Sequence, residues 1–297
     1  MSEMRLALWK QIFYQALAAF VAFIVLVPML WVVSMSLDPR NIARPTEFRI
    51  IPAGASLEAY VKVLDKPTNN PVTFTELLIN QLKLAGGVTL ASVLIGVFAA
   101  YAFSRVNFAG RRWLMLGIIT VLMLPGIATI TPLFALLNRV QLLDPETGRV
   151  IFNLRNSLWG VGVAMISGAL PFAIWNLKGY LDTIPRELEE AARIDGAGPN
   201  QTFFLIVLPL SIPALAVTAF LGFLGGWTEF ALSWMFLTEP KDFTLAMSLY
   251  NMVGQYSDNT PWSAFSAMAL LIAAPVAIVY LLLQKYIVSG LTIGSVK

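Results

Sequence analysis

Six long stretches of the sequence contain no charged residue, and this pattern places the chain among integral membrane proteins. The uncharged stretches lie between Lys10 and Asp38, Lys83 and Arg105, Arg112 and Arg139, Arg155 and Lys178, Asp195 and Glu229, and Asp258 and Lys285. A helix needs about 20 residues to cross roughly 30 Å of hydrocarbon, and every stretch is long enough. Only 12% of the residues are charged, which is about half of the fraction in a soluble domain.

The same stretches predict an all-α membrane protein with six transmembrane helices in a single domain over residues 1–297. They lack the apolar/polar alternation of a membrane β-barrel, so we expect helices near 12–36, 82–104, 113–137, 157–179, 209–237 and 262–286. The first is too long for the apolar region of a signal peptide, which holds about 7–15 residues. We therefore expect it to be retained.

The short link between the second and third spans predicts the orientation. It carries Arg105, Arg111 and Arg112, and short cytoplasmic loops are enriched in basic residues. With an even number of spans, both termini and the 180–208 connection then also lie in the cytoplasm.

Several residue types and motifs are absent from the sequence. There is no cysteine and no histidine, which excludes disulfides, Cys/His zinc sites and Ser-His-Asp triads. A net charge of +3 gives no indication of a nucleic-acid partner. No G-x-x-x-x-G-K-[ST] phosphate loop occurs, so we expect no ATP site of that kind in this chain.

Prolines interrupt the predicted spans at Pro28, Pro125, Pro132, Pro171, Pro213 and Pro275. Proline removes a helical hydrogen bond and kinks the helix. Each kink is explained by packing alone, whereas the set together suggests a bundle with a cavity between its helices.

The connection between residues 182 and 209 predicts a short helix, a tight turn and a second apolar segment. Glu189 and Arg193 stand four apart in the favourable order, and Gly196 suits a left-handed helix cap. Helical spacing puts Leu188, Ala191, Ala192 and Asp195 on one face. Such a face fits the groove of a partner protein, or it belongs to an ordinary solvated connecting helix.

The same segment resembles the EAA loop of ABC-importer permeases of type I. The fixed positions of that motif are occupied by Glu190, Ala191, Ala192, Gly196, Ile206, Leu208 and Pro209. The resemblance implies that this loop forms coupling helices that dock on an ATP-hydrolysing subunit. It assigns Glu190 to contacts with the ATPase, together with neighbours such as Asp195, and Gly196 to the turn.

The resemblance extends along most of the chain to carbohydrate-importer permeases, and in particular to MalG-type subunits of maltose transporters. It rests on Leu177-Lys178-Gly179-Tyr180, on Leu208-Pro209-Leu210-Ser211-Ile212-Pro213, on Thr244-Leu245-Ala246 and on the ending Gly290-Leu291-Thr292-Ile293-Gly294-Ser295-Val296-Lys297. The implied role of the ending, through Gly290, Leu291, Thr292, Gly294, Val296 and Lys297, is to insert between ATPase subunits. Without the family, the default expectation for such a terminus is disorder.

The family implies three protein partners and no cofactor in this chain. They are a second, MalF-like permease, a homodimeric, MalK-like ATPase that binds ATP and magnesium, and an extracytoplasmic sugar-binding protein. The loop Gly254-Gln255-Tyr256-Ser257-Asp258-Asn259-Thr260 corresponds to a scoop that reaches into the binding protein, although its residues depart from the usual ones. The substrate implied is maltose, maltodextrin or a related oligosaccharide.

Two further features have open interpretations. Loop 38–80 holds five acids, five bases and Tyr60, and it is either solvated packing or a platform for the binding protein. Glu229 is the only carboxylate inside a predicted span, where an ionisable residue suggests function, although a place near the outer interface makes it ordinary. A self-sufficient secondary carrier or channel is the alternative function, and an intramembrane enzyme lacks paired carboxylates within the spans.

Overall fold

In a computed structural model of the chain, residues 7–42, 49–253 and 260–293 are described, with side chains as far as residue 287. The chain divides into two units. The first comprises Met1–Asn69 and Leu249–Ala273, and the second comprises Asn70–Ser248 and Ala274–Lys297. One of the boundaries between the units, after Ala273, falls within the last long helix.

Four helices of the described residues are long and apolar enough to cross a membrane: α1 (Leu8–Ser36), α3 (Phe74–Arg105), α6 (Leu158–Leu181) and α13 (Trp262–Ile293), the last through its segment Trp262–Ile287. Two bent helix pairs also qualify: α4 (Arg111–Leu122) with α5 (Gly126–Asn138), and the segment Pro199–Leu210 with α10 (Ile212–Trp227). With each bent pair taken as one span, the described residues hold six candidate spans, as the sequence predicts.

The third and fifth predicted spans are not straight helices. The third bends by 104° between α4 and α5, where Pro125 is the N-cap of α5. The fifth bends by 71° ahead of α10, which carries Pro213 in its first turn. Both bends lie where a proline prevents a helical hydrogen bond. The fifth span also ends at Trp227 and not near residue 237.

In the first unit, α1 leads into a polar segment that precedes α2 (Glu58–Asp65). The hydroxyls of Ser36 and Tyr60 lie 2.8 Å apart. The Ser263 hydroxyl, at the start of α13, donates to the carbonyl oxygen of Asp38. Tyr60 therefore has a packing role within this unit.

In the second unit, α3 packs against both α6 and α10. Small residues allow the close approach: a Cβ on Gly226 would lie 2.6 Å from the Cα of Ala85, and a Cβ on Gly96 would lie 3.1 Å from the Cβ of Ala173. Small residues are typical of helix contacts in membranes. The Gln81 amide, fully buried, also donates to the carbonyl oxygens of Gly226 and Trp227.

Shorter elements complete the described residues. Strands β1 (Gln141–Leu143) and β2 (Val150–Asn153) form an antiparallel hairpin in which Leu142 faces Phe152. The remaining helices are α7 (Glu187–Ile194), α8 (Pro199–Thr202), a π turn (Phe203–Val207), α9 (Leu208–Leu210), α11 (Ala231–Phe236), a 3-10 turn (Pro240–Asp242) and α12 (Leu245–Asn251).

Candidate functional site

Helix α7 forms where the sequence predicts a short connecting helix. Its first turn carries Glu187, Glu189 and Glu190, and negative charge there complements the helix dipole. The helix ends at Ile194, and Gly196, just beyond the C-cap Asp195, has a φ of +87° in the left-handed region. The amide of Ala197 then donates to the carbonyl oxygen of Ala192 at 2.9 Å. The predicted left-handed cap at Gly196 is confirmed.

The inner side of α7 is fixed to the end of α3 by a buried ion pair. Nε of Arg105 lies 2.5 Å from Oε1 of Glu189, and the two side chains are 8% and 4% exposed. The same guanidinium donates to the carbonyl oxygen of Ile184 at 2.9 Å. Because Arg105 bonds both the Glu189 carboxylate and the Ile184 carbonyl oxygen, α7 is held against α3, although α6 is closer to α7 in the sequence.

A second polar contact joins α3 to the end of α6. The Ser104 hydroxyl donates to Oδ1 of Asp182 at 2.6 Å, and Nζ of Lys178 lies 2.5 Å from Oδ2. Arg186 donates to the carbonyl oxygen of Ser104 at 3.0 Å. Burial acts to raise the pKa of the Asp182 carboxyl, but the hydrogen bonds from Lys178 and Ser104 outweigh it, so the pKa lies below its usual value.

The predicted face of α7 is divided between the inside and the outside of the unit. Ala192 is buried, whereas Leu188, Ala191 and Asp195 are exposed. Because Arg105 holds Glu189, the helix is rotated so that Glu189 and Ala192 point inward. The expectation that this whole face is open to a partner is therefore wrong at Ala192. Glu189 forms its ion pair with Arg105 of α3.

The outward side of α7 carries a charged and an apolar side chain that are both exposed. Glu190 is exposed there, and Ile194 is 87% exposed. The sequence does not indicate Ile194 as a surface residue, because isoleucine is among the residue types most often buried. The exposed Ile194 and the exposed Glu190 carboxylate give this side both an apolar and a charged group.

The segment after the turn continues the exposed surface and then enters the core. Phe203 is buried against the ring of Tyr101, with centroids 4.8 Å apart, whereas Phe204 and Leu205 are exposed. The amide of Leu208 donates to the carbonyl oxygen of Phe203, which closes the π turn just before Pro209. Leu208 packs on the core cluster around Val207, and Pro209 lies in α9.

The two other predicted sites are described only in part. Of the loop 254–260, residues 254–259 (Gly254, Gln255, Tyr256, Ser257, Asp258 and Asn259) lie outside the described residues, and Thr260 is buried. In the C-terminal tail, Gly290, Leu291 and Thr292 belong to the backbone of α13. The default expectation of disorder from residue 290 is therefore wrong for these three. Gly294, Val296 and Lys297 lie outside the described residues.

Glu229 follows the end of α10 and does not lie inside a span. Its Oε1 accepts from the amide of Leu232 at 2.6 Å and its Oε2 accepts from the amide of Ser233 at 3.1 Å. Both donors belong to the first turn of α11. Glu229 therefore caps α11, as an N-terminal carboxylate does, and this accounts for its charge.

A cavity of about 1250 Å³ opens at the far end of α3 and α6 from α7. Its walls include Gly87, Ala91 and Gly162 from these helices, and its rim carries Lys83 and the 78% exposed Trp159. The two ends of α3 thus differ: one meets α7 and the other borders a wide cavity.

Comparison with known families adds a sequence relationship over most of the chain. Residues 92–293 match the family described as binding-protein-dependent transport system inner membrane component. The galactooligosaccharides transport system permease protein GanQ of Bacillus subtilis strain 168 is 35% identical over 97% of this chain and 96% of its own length. The trehalose/maltose transport system permease protein MalG of Thermococcus litoralis is 34% identical over 99% of both chains.

Solved structures share the fold. A chain from the crystal structure of a bacterial ABC transporter involved in the import of the acidic polysaccharide alginate matches with a TM-score of 0.71 and 22% identity. The match covers 96% of this chain and all of that one. A chain of the inward-facing MetNI methionine ABC transporter matches with a TM-score of 0.56 over 78% of this chain and 98% of its own.

Proposed function

Because the chain belongs to the family of binding-protein-dependent transport system inner membrane components, we propose that it is the permease subunit of an ATP-driven importer for an oligosaccharide. The subunit itself carries out no catalysis and binds no cofactor. ATP and magnesium bind to the separate ATPase subunits, which supply the energy.

The observation that carries this proposal is the exposure of the outward side of α7. This surface, which we call the coupling surface, comprises Glu190, Ala191, Ile194 and Asp195, with Gly196 forming the turn behind it. The inner side of α7 is held in place by the buried Arg105–Glu189 pair. An exposed helix with a rigid support transmits force when a partner pushes on it. The ATPase subunit is that partner, and the bent helices are the two-state element that the push biases.

The other contacts follow from the same assignment. The α7 side of the membrane is the cytoplasm, and both termini lie there. The C-terminal tail contacts the ATPase pair, the loop 254–260 reaches the extracytoplasmic sugar-binding protein, and a second permease completes the pathway.

The relatives support an oligosaccharide as the substrate class. They are named as transporters of galactooligosaccharides, of maltose and maltodextrin, and of trehalose and maltose. These sugars share glucosyl or galactosyl units joined by glycosidic bonds. Maltose or maltodextrin is our specific proposal.

Reconstitution tests the function directly. We would place the chain, a second permease and the ATPase pair in vesicles with the binding protein, and measure uptake of radiolabelled maltodextrin with and without ATP. The expected result is uptake that requires ATP and the binding protein. Uptake by this chain alone would instead support the secondary carrier.

A further inference from the structure

A basic cavity lies beside the link between α3 and α4, at the same end of the helices as α7. It has a volume of about 580 Å³, and its lining includes Phe108, Arg111, Arg112, Trp113, Leu116 and Lys178. The link, the first turns of α4 and the end of α6 each contribute to it. The cavity is thus built by two parts of the sequence that are distant from each other, residues 108–116 and Lys178.

The charge of this cavity is mostly not neutralised within the subunit. Arg111 donates to Oδ1 of Asn107 at 3.1 Å, which is a neutral acceptor. Among the residues that the structure describes, Arg112 has no side-chain hydrogen bond or ion pair. Lys178 alone has a carboxylate partner, Asp182. Three cations and one nearby anion leave the site about two charges positive.

The surface next to the cavity is apolar and aromatic. Trp113 is 77% exposed, and Leu114 and Leu116 on the same helix are 56% and 44% exposed. Tryptophan is enriched at the membrane interface, where one part of the ring is wet and the other is in contact with hydrocarbon. A basic cavity of headgroup size therefore lies beside an exposed apolar surface suited to acyl chains.

We propose that this cavity binds the phosphodiester headgroup of an anionic phospholipid. Guanidinium groups match phosphate oxygens in geometry as well as charge, and basic pockets between membrane helices on the cytoplasmic side bind such headgroups. The placement of the cavity on the cytoplasmic side of the membrane rests on the proposed function. A free phosphate offers the same charge, but it leaves the exposed leucines and Trp113 without a partner.

The test measures lipid retention by the complete importer. The complex is incubated in detergent with phosphatidylglycerol or phosphatidylcholine, and the retained lipid is measured by native mass spectrometry. The double variant Arg111→Gln/Arg112→Gln is compared with the matched control Arg139→Gln/Arg149→Gln, which removes two arginines near the opposite end. One basic residue near an anionic membrane surface contributes about 1 kcal/mol, or roughly fivefold in affinity.

We expect the double variant to lose at least tenfold in affinity for phosphatidylglycerol and the control to equal the wild type. Phosphatidylcholine should be retained weakly by all three, and glycerol 3-phosphate should not displace the lipid. Equal retention by the double variant and the wild type, or equal loss in the control, would overturn the proposal. Displacement by glycerol 3-phosphate would assign the cavity to a soluble phosphate. Sugar uptake by the wild type is measured separately, so a failure of uptake counts only against the transport function.

Discussion

Arg105 and Glu189 are 84 residues apart in the sequence, and their side chains meet at 2.5 Å where the end of α3 contacts α7. Both side chains are more than nine-tenths buried. Removing one partner of a buried pair leaves an uncompensated charge, which is strongly unfavourable. The pair therefore ties α7 to the end of α3, a helix of the core.

Replacing Glu189 by Gln is expected to destabilise the subunit by about 3–5 kcal/mol, because Arg105 remains buried without its counter-charge. The measurement is the melting temperature of the purified complex, together with sugar uptake. The exposed Glu187→Gln in the same helix is the control and should behave like the wild type. An exchange, Arg105→Glu with Glu189→Arg, should restore part of the stability. An unchanged melting temperature in Glu189→Gln would contradict the buried-pair interpretation.

Replacing Glu190 by Lys is expected to abolish ATP-driven uptake without unfolding the subunit. The side chain is exposed on the coupling surface, so charge reversal disturbs docking of the ATPase and leaves internal packing unaltered. Uptake and membrane insertion are measured side by side. The control is Glu146→Lys, an exposed acid in the hairpin between β1 and β2. Normal uptake by Glu190→Lys would remove this residue from the coupling surface.

Ile194→Ser is expected to lower the affinity for the ATPase at least tenfold while leaving the melting temperature within about 1 °C. The side chain is 87% exposed, so it adds little to internal packing, whereas burying it against a partner is worth about 1.5–3 kcal/mol. Co-purification of the ATPase with the permeases gives the measurement. Ile51→Ser, 71% exposed in the segment before α2, is the control. An equal loss of affinity for the ATPase in both variants would contradict a specific role of Ile194, because it would show that replacing any exposed isoleucine has this effect.

The sequence predicts the spans and the α7 turn well because both depend on local patterns. Long uncharged runs indicate the spans, and Gly196 stands where the chain leaves α7 through a left-handed turn. The Arg105–Glu189 pair was not predictable in this way, since it joins positions 84 apart and nothing local indicates it. The rotation of α7 depends on that pair, so Ala192 is buried and not open to a partner. The sequence likewise does not indicate that α10 ends at Trp227 and that Glu229 accepts from the amides of α11.

The lowered pKa of the Asp182 carboxyl predicts that the stability of the subunit depends on pH. Its pKa is lowered in the folded chain because Lys178 and Ser104 bond the charged form more strongly than burial disfavours it. The stabilisation is therefore present at pH values above the usual aspartate pKa of about 3.9. It is lost as the pH falls from there through the lowered pKa of the folded state. We expect Asp182→Asn to melt below the wild type at pH 7, and the difference to shrink toward pH 3. A difference that stays constant with pH would show that the charge of Asp182 does not contribute.

Gly196 and Gly198 provide a matched pair for testing the turn behind the coupling surface. Gly196 has a φ of +87° and open space around its Cα, so an added Cβ strains the backbone without a clash. We expect Gly196→Ala to cost roughly 1–2 kcal/mol and Gly196→Pro, which also fixes φ near −65°, to abolish ATP-driven uptake. Gly198 has an ordinary φ of −73°, so Gly198→Ala should import normally. If Gly196→Pro and Gly198→Ala import equally well, the turn geometry at Gly196 is not needed to hold α7 in place.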